Sequence, residues 1–299
     1  MKSVIITGAG GLIGRSLSLS LLKKGINVYG IDISNQGFKD LKTYSSFYPI
    51  ILNSNDLHEL DKLRDQNIDT FYHLAWSGSL LSHDLNNVSL QLSNVNTSME
   101  YLKKIQQLGI KKVIFGSSSY QYMIDNNTNI ICNYYGIAKK TTEDLFLNYC
   151  SNNHIKCHIA ILTNTFGWGD YSQKAVNTLL LKMLNNEILS LVEGNYENDW
   201  VYIDDTVNGL IAIGEKGKNL MRYYIGHEKI TTFKTKIKEM ASITNYKNNL
   251  VFGEYIENSH VDYSLLNAHK LFEDTGFKCS IDFRKSIELT IMWLKKRGN

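Results

Sequence analysis

The sequence predicts an α/β fold, a doubly wound parallel sheet, on three observations. Short β-branched or apolar runs alternate with helical patterns from residue 1 to roughly 165. The first of these runs passes directly into a glycine-rich turn, and an acid closes the second. Strands are expected near 3–7, 27–31, 48–52, 69–74, 111–116 and 156–162. Helices are expected over 12–24, 56–66, 84–108 and 134–152. Runs of this kind suit a parallel sheet covered on both faces and joined by right-handed crossovers. Beyond residue 165 the pattern changes to a helix over 172–186, short strands, a helix over 204–214, and helices near 233–243, 264–274 and 284–296. No Gly/Ser-rich linker and no repeat interrupts the chain, and Pro49 is its one proline.

Each early element carries its own chemistry. Lys2-Ser3-Val4-Ile5-Ile6-Thr7 reads as a buried strand and enters Gly8-Ala9-Gly10-Gly11-Leu12-Ile13-Gly14. Glycines at 8, 11 and 14 allow a tight turn, backbone approach to a pyrophosphate and close helix–strand packing. The helix that follows, patterned through Leu17, Leu21 and Leu22, offers amides and a positive dipole end to phosphates. The second strand, Asn27-Val28-Tyr29-Gly30-Ile31, ends at Asp32, 18 residues beyond Gly14. A carboxylate at that distance suits the adenosine ribose hydroxyls of a dinucleotide. Order and spacing together make this a Rossmann-type unit. Asp32 favours NAD, since it repels a ribose phosphate, while neighbouring Arg15 leaves NADP open.

Tyr135-Gly136-Ile137-Ala138-Lys139 puts a phenol and an ammonium four residues apart, on one face of the expected helix. A nearby ammonium favours phenolate, so Tyr135 is expected to titrate below the usual tyrosine value of about 10. Such a phenol can exchange a proton with a substrate hydroxyl while a hydride moves elsewhere.

Taken in order, these motifs resemble the extended short-chain dehydrogenase/reductase family, the NAD-dependent epimerase/dehydratase group that modifies nucleotide sugars. Thr7-Gly8-x-x-Gly11-x-x-Gly14 is similar to its glycine fingerprint, and Asn55-Asp56-Leu57 lies where the family has an adenine-contacting Asp. His73-Leu74-Ala75 resembles its HLAA segment, Asn94 the asparagine of its N-V-x-G-T segment, and Val113–Ser119 its fifth strand with the catalytic serine. Tyr135 to Lys139 with Glu143, Asn164-Thr165-Phe166-Gly167 and Trp200–Asp205 resemble further family segments. The resemblance implies catalytic roles for Ser118, Tyr135 and Lys139, with Ser117 and Ser119 as rival hydroxyls. It implies cofactor contacts from Gly8, Gly11, Leu12, Ile13, Gly14, Asp32, Asp56, Leu57, Leu74, Ala75, Asn94, Tyr135 and Lys139. Substrate contacts would come from Ser118, Ser119 and Asn164. Asn94 is either a direct participant or a group that bonds backbone near Lys139, and His73 a packed residue beside the cofactor. The family's architecture implies a dinucleotide-binding domain over 1–165, to which later segments return, and a smaller C-terminal α+β substrate lobe over 166–299. It also implies a homodimer through the helices of 84–108 and 134–152, whose apolar faces include Leu85, Val88, Leu92, Val95 and Met99.

Departures from the family pattern narrow the chemistry. Ser119-Tyr120-Gln121 stands where dehydratases carry adjacent Asp and Glu, and no carboxylate follows Ser118 until Asp125. Only 17 residues separate Ser118 from Tyr135, and Met123 replaces a usual glycine. Asn198 and Ile161 stand at two arginine positions, and the later arginine near Glu257-Asn258-Ser259-His260 is absent. Those arginines grip a nucleotide diphosphate, and bidentate guanidiniums are hard to replace. Lys174, Arg222 and His260 are the candidates to substitute. Three functions fit: a nucleotide-sugar epimerase working at carbon 4, a keto-sugar reductase or dehydrogenase, and a dinucleotide sensor without turnover.

Composition bounds these readings. A chain of 299 residues with 43% hydrophobic content can bury a large core. A net charge of +3 without a basic, aromatic-interleaved stripe argues against nucleic acid. Lys295-Lys296-Arg297 reads as a solvated helix end. Cys132, Cys150, Cys157 and Cys279 lack metal spacing and suit reduced thiols, so no metal is expected, and His154 and His158 read as structural. With no signal-peptide pattern and no apolar run approaching the roughly 20 residues of a membrane span, a cytoplasmic protein is expected.

Overall fold

The computed structural model describes residues 1–78, 82–128, 130–131, 133–172 and 174–297, so Cys132 lies outside the described residues. The first half runs β1 (Ser3–Thr7), α1 (Leu12–Lys23), β2 (Asn27–Asp32), β3 (Phe47–Ile51), β4 (Thr70–His73), α2 (Ser82–Leu85), α3 (Val88–Gln107), β5 (Lys112–Ser118), β6 (Met123–Asp125), α4 (Tyr134–Asn152) and β7 (Lys156–Leu162). The second half runs β8 (Asn164–Phe166), α5 (Ala175–Leu184), β9 (Ser190–Val192), β10 (Glu197–Asn198), β11 (Trp200–Tyr202), α6 (Ile203–Lys216), β12 (Met221–Ile225), β13 (Thr231–Thr232), α7 (Phe233–Thr244), β14 (Val251–Tyr255), β15 (Ser259–Val261), α8 (His269–Thr275) and α9 (Phe283–Arg297).

Seven strands form one parallel sheet in the order β12-β7-β5-β4-β1-β2-β3. Alternation along each strand divides its side chains between two cores. Val4, Ile6, Tyr72 and Ile114 enter one, packed with Leu17, Leu21, Val207 and Leu210 of α1 and α6. Ile5, Phe71, Val113 and Phe115 enter the other, with Tyr101, Leu102, Ile105 and Phe146 of α3 and α4. Because both faces are covered, the strands are apolar at successive positions, which is why they read as continuous runs in the sequence. Chain order reverses between β1 and β4, and ligands of open α/β sheets bind beyond the carboxyl ends of strands at such a point. β12, from the second half of the chain, completes the sheet beside β7, with Tyr223 paired to Ala160.

Several elements differ from the sequence expectation. The helix expected over 84–108 is broken: Asn87 is extended (φ −87°, ψ 99°), and its side chain accepts from Leu90 N at 3.1 Å, starting α3 afresh. An Asn that caps competes with the helix that would run through it. The segment expected as a helix over 56–66 is a 3₁₀ run, Ser54–Leu63, with Asp56 out of helical geometry (φ −108°, ψ 27°). Its apolar residues Leu57, Leu60 and Leu63 recur every third position, the period of a 3₁₀ helix. The helix expected over 264–274 divides into a 3₁₀ turn, Tyr263–Leu265, and α8, with Asn267 Oδ1 accepting from Lys270 N at 3.2 Å between them. Among the described residues no helix is long and apolar enough to cross a membrane.

Phe146 joins α4 to the sheet. It is fully buried, 4.9 Å from the Phe115 ring and stacked 5.9 Å from His73. Phe146→Ala should lower unfolding free energy by about 3–5 kcal/mol, read as a drop in the urea midpoint at unchanged slope.

Candidate active site

The glycine turn is shaped by contacts that only glycine admits. Gly8 has φ +69°, and a Cβ there would stand 2.9 Å from Ala75 N. A Cβ on Gly14 would lie 2.1 Å from the Gly8 carbonyl oxygen, so α1 packs directly on the turn. At Gly11 such an atom would meet only the Gly8 oxygen, at 3.4 Å, so that side of the turn is open. α1 begins at Gly11 with no side-chain cap and no acid in its first turn, and its orphan amides and positive dipole end are left for an anion. Asp32 is held at the end of β2 by Gly10 N on Oδ2 and Ile33 N on Oδ1, both at 2.8 Å. Arg15 is paired to Asp40 at 2.5 Å and lies 5.8 Å from the Trp168 ring centroid. Leu12 and Ile13 are half-buried against the core, Leu57 packs on the α3 side, and Asp56 is exposed.

Behind the turn a buried relay joins three elements. Leu74 N and Ala75 N each donate to Thr7 Oγ1 at 3.2 Å, and Thr7 Oγ1 lies 2.8 Å from His73 Nδ1. His73 Nε2 lies 2.9 Å from Ser98 Oγ, and Ser98 donates to Asn94 O at 2.8 Å. With the serine proton committed, the imidazole proton sits on Nε2, and Nδ1 accepts from Thr7. Burial, reinforced by the Lys139 charge, lowers His73 to about 3, so it stays neutral and cannot carry protons near pH 7. Asn94 takes the backbone-bonding role of the two expected: its amide clasps Ser77, next to the Trp76 ring that covers Lys139, accepting from N at 3.0 Å and donating to O at 2.9 Å.

The three expected catalytic side chains meet at the carboxyl end of β5. Asn133 Oδ1 accepts from Gly136 N at 2.6 Å and starts α4. A Cβ on Gly136 would lie 2.3 Å from Tyr120 O, so glycine lets α4 press against the turn that follows Ser118. Ser118 accepts from Tyr120 N at 3.2 Å and lies beside the Tyr135 phenol, whose ionised form it favours. Lys139 is buried, donates to Gly116 O at 2.7 Å and sits 3.8 Å from the Trp76 ring centroid. Ser117 faces Gln121. Ser119, expected as a substrate contact, is instead fully buried and donates to Thr163 at 3.4 Å, because alternation turns it away from Ser118. The expected low phenol pKa is reversed. Burial pushes Tyr135 up to about 12 against the pull of Ser118, and burial brings Lys139 down to about 7 against the pull of Glu143. An ammonium half-neutralised near pH 7, with Nζ 5.9 Å from the Tyr135 ring centroid, is too weak to overcome desolvation of the phenol.

A cavity of about 80 Å³ lies beside this trio, walled by Tyr120, Asn164, Tyr196, Asn198 and Glu257. β6 and β15 close it as an antiparallel pair, pinned by Asn126 N donating to Asn258 O at 2.8 Å. Of the three groups expected to replace the missing arginines, Arg222 is turned away and bound to Glu143 at 3.0 Å and Asp144 at 2.5 Å. His260 lines the cavity and bonds Asn126 at 2.6 Å, while burial lowers the Lys174 ammonium against the pull of Asp170. Sequence reading missed Trp76, whose indole donates to Gln91 Oε1 at 2.9 Å and forms one wall of the Lys139 site. No local pattern marks that tryptophan; the contact exists only once β4 and α4 are packed.

Comparison with known proteins decides the family. The family model described as NAD dependent epimerase/dehydratase matches residues 4–226. The chain belongs to this family, whose cofactor is NAD. The dTDP-4-dehydro-6-deoxyglucose reductase of Escherichia coli is 23% identical over 308 residues, 97% of this chain and 96% of that protein. The CDP-abequose synthase of Yersinia pseudotuberculosis is 29% identical over 215 residues, 70% of this chain and 72% of that protein. The structure of a UDP-glucose 4-epimerase with UDP-glucose from Thermotoga maritima shares the fold, with a TM-score of 0.83 and 23% identity over 99% of this chain and 100% of that one.

For a member of the NAD dependent epimerase/dehydratase family, the open side of the turn at Gly11, the uncapped α1 and the Asp32 carboxylate fit pyrophosphate and ribose. Asp32→Ala should weaken NAD binding about tenfold and narrow the preference over NADP, as read by titrating both dinucleotides. Unchanged preference would mean that Asp32 does not read the ribose. A pH test isolates Lys139. Its folded value of about 7 lies below the usual lysine range, so the unfolded chain holds the extra proton above pH 7. Stability from this group therefore rises as pH goes from about 7 to about 10, and is lost as pH falls through 7. Lys139→Met should flatten that rise in urea midpoints measured without dinucleotide.

Proposed function

We propose that this chain is a cytoplasmic NAD-dependent nucleotide-sugar epimerase working at carbon 4 of the sugar, with Ser118, Tyr135 and Lys139 as its catalytic groups. The observation that carries the reading is that Ser118, at the carboxyl end of β5, lies beside the Tyr135 phenol and favours its ionised form, with Lys139 one helical turn along α4. Bound NAD supplies a hydride acceptor and a positively charged ring. Tyr135 removes the proton of the sugar hydroxyl as the carbinol C–H bond breaks, and a cation held beside the phenol lowers its pKa toward that task. Ser118 donates to the developing ketone oxygen and keeps it within reach of Tyr135. Lys139 holds the ribose hydroxyls and favours phenolate. Once the keto sugar has presented its other face, the carbonyl carbon would regain its hydride on that face, which inverts the centre, while Tyr135 returns the proton to the oxygen. Ser119-Tyr120-Gln121 supplies no acid pair for eliminating water, which argues against 4,6-dehydration.

A keto-sugar reductase uses the same three groups, and the full-length match to the Escherichia coli reductase favours it as a second reading. The two differ in how they treat cofactor: an epimerase keeps its NAD, and a reductase exchanges it every turnover. Absorbance and identity of the dinucleotide that co-purifies with the protein distinguish them. We further propose a homodimer through α3 and α4, whose outer faces carry Val88 and Leu92 and, on the second helix, Ile137 and Leu145, all exposed.

Tyr135→Phe keeps the ring packed, so NAD should still bind while turnover falls by about 10²–10⁴-fold. UDP-, dTDP-, GDP- and CDP-hexoses, screened for epimerised product and, as 4-keto sugars, for NAD(P)H consumption, provide the assay. Wild-type turnover in that variant would remove Tyr135 from the mechanism. Light scattering at micromolar concentration should give about twice the chain mass of 34.1 kDa; a species of chain mass alone rules out the dimer.

A further inference from the structure

Two opposite charges are buried one turn apart on α4. Lys139 and Glu143 are both buried and share a face of the helix. Both reach the end of β5. Lys139 Nζ donates to Gly116 O at 2.7 Å, and Gln121 Nε2 donates to Glu143 Oε1 at 2.6 Å while lying 3.4 Å from Ser117 Oγ. The second carboxylate oxygen accepts from Arg222 Nε at 3.0 Å. Arg222 comes from β12, in register with Ile159 of β7, and donates also to Asp144 at 2.5 Å. Each oxygen of Glu143 thus has a partner other than Lys139, and the carboxylate acts on the ammonium through space. Little water screens that action in the interior. Burial lowers Lys139 to about 7, and Glu143 pulls against it. The other titratable groups around the pair are His73 from β4 and Tyr135 on the Lys139 side. On the Glu143 side they are Tyr122, Cys157 with its neighbour Cys150, and Asp144 with Lys140. Burial holds His73 low and both phenols high.

From this arrangement we infer that Glu143 is a positioning residue of the proton-transfer site, the buried counter-charge of Lys139, and that Arg222 sets how much of that charge Lys139 receives. The inference rests on the roles given above to Tyr135 and Lys139 and adds the group that acts on them from behind. A guanidinium on Glu143 divides one carboxylate between two cations. The more firmly Arg222 holds it, the less it favours the Lys139 ammonium, and through Lys139 the less it favours the Tyr135 phenolate. Arg222 belongs to β12, so the second half of the chain tunes a pair that lies wholly in the first half.

The test is the pH dependence of urea midpoints, measured from about pH 6 to about pH 10 on the full-length chain without dinucleotide. In the parent, stability should begin to rise near the folded Lys139 value of about 7. Glu143→Gln removes the charge and keeps the shape, so the rise should start about one pH unit lower. Arg222→Met should start it about half a unit higher, because Glu143 then answers to one cation. Glu143→Asp keeps the charge on a shorter arm; it should lower stability at every pH and start the rise closer to the parent than Glu143→Gln does. In a Lys139→Met background none of the three should alter the pH dependence. A start unmoved in both Glu143→Gln and Arg222→Met, shifts of the same sign, or shifts that persist without Lys139 would each overturn the inference. If Glu143→Gln does not fold, Arg222→Met decides by the direction of its shift, since that side chain is 36% exposed. With whichever sugar the screen yields, the pH profile of turnover in the NAD-loaded variants should move in the same opposite senses at unchanged KM. A turnover profile that stays put while the urea profile moves would remove the positioning role. No sugar enters the urea test, so its failure is distinct from failure of the roles above, which turnover in Tyr135→Phe decides.

Discussion

A buried ammonium is the constraint around which the site is arranged. Lys139 Nζ has one carbonyl, Gly116 O at 2.7 Å, and three aromatic rings, with centroids at 3.8 Å for Trp76, 4.9 Å for Phe115 and 5.9 Å for Tyr135. Removing a cation from water is expensive, and each of these contacts returns part of that cost. Their supports follow in turn. Trp76 is fixed by Gln91, Gln91 also binds the Gly78 and Asp84 carbonyls, and Asn94 clasps Ser77. One face of α3 therefore serves to hold the strand end that solvates Lys139. Glu143, one turn further along α4, is buried as well and is balanced by Gln121 at 2.6 Å and Arg222 at 3.0 Å. The arginine bridges α4 to β12, the strand that the second half of the chain lends to the sheet.

The same economy of space sets the cofactor side. Gly8, Gly14 and Ala75 approach one another so closely that β1, α1 and the end of β4 meet at one point. The relay from Thr7 through His73 and Ser98 to Asn94 then ties that point to α3 with every proton assigned. Neutral His73 acts as a rigid spacer there, its ring stacked near Phe71, Phe115 and Phe146. The glycine turn and Tyr135 thus flank one hydrogen-bonded and aromatic layer.

Asp199 is buried and binds the Tyr224 hydroxyl at 2.5 Å and His227 through N at 2.9 Å and Nδ1 at 2.7 Å, bracing β11 against the end of β12. Burial opposes protonation of His227, but the Asp199 bond outweighs it and raises its pKa. The adjacent Asn198 belongs to a cavity wall that is phenolic and acidic, with His260 held at its edge by Asn126.

Local order was legible in the sequence by itself. The βα alternation, the glycine turn closing on Asp32, and the offset that stacks Tyr135 over Lys139 depend on periods of two and 3.6 residues, which neighbours along the chain impose. Alternation separates Ser118 from Ser117 and Ser119, but the choice of Ser118 came from the family resemblance and not from the period. The three-residue spacing of Leu57, Leu60 and Leu63 was also present, although it reads as a 3₁₀ run only when the period is counted. Tertiary structure decided what depends on distant partners. It reversed the pKa of Tyr135, because desolvation comes from residues far along the chain. It gave Asn94 the Ser77 backbone, withdrew Arg222 to Glu143 and set Trp76 against Lys139. Sequence spacing fixes which side chains share a face; burial and charge pairing are sums over everything that packs against that face, and those sums exist only in the folded chain.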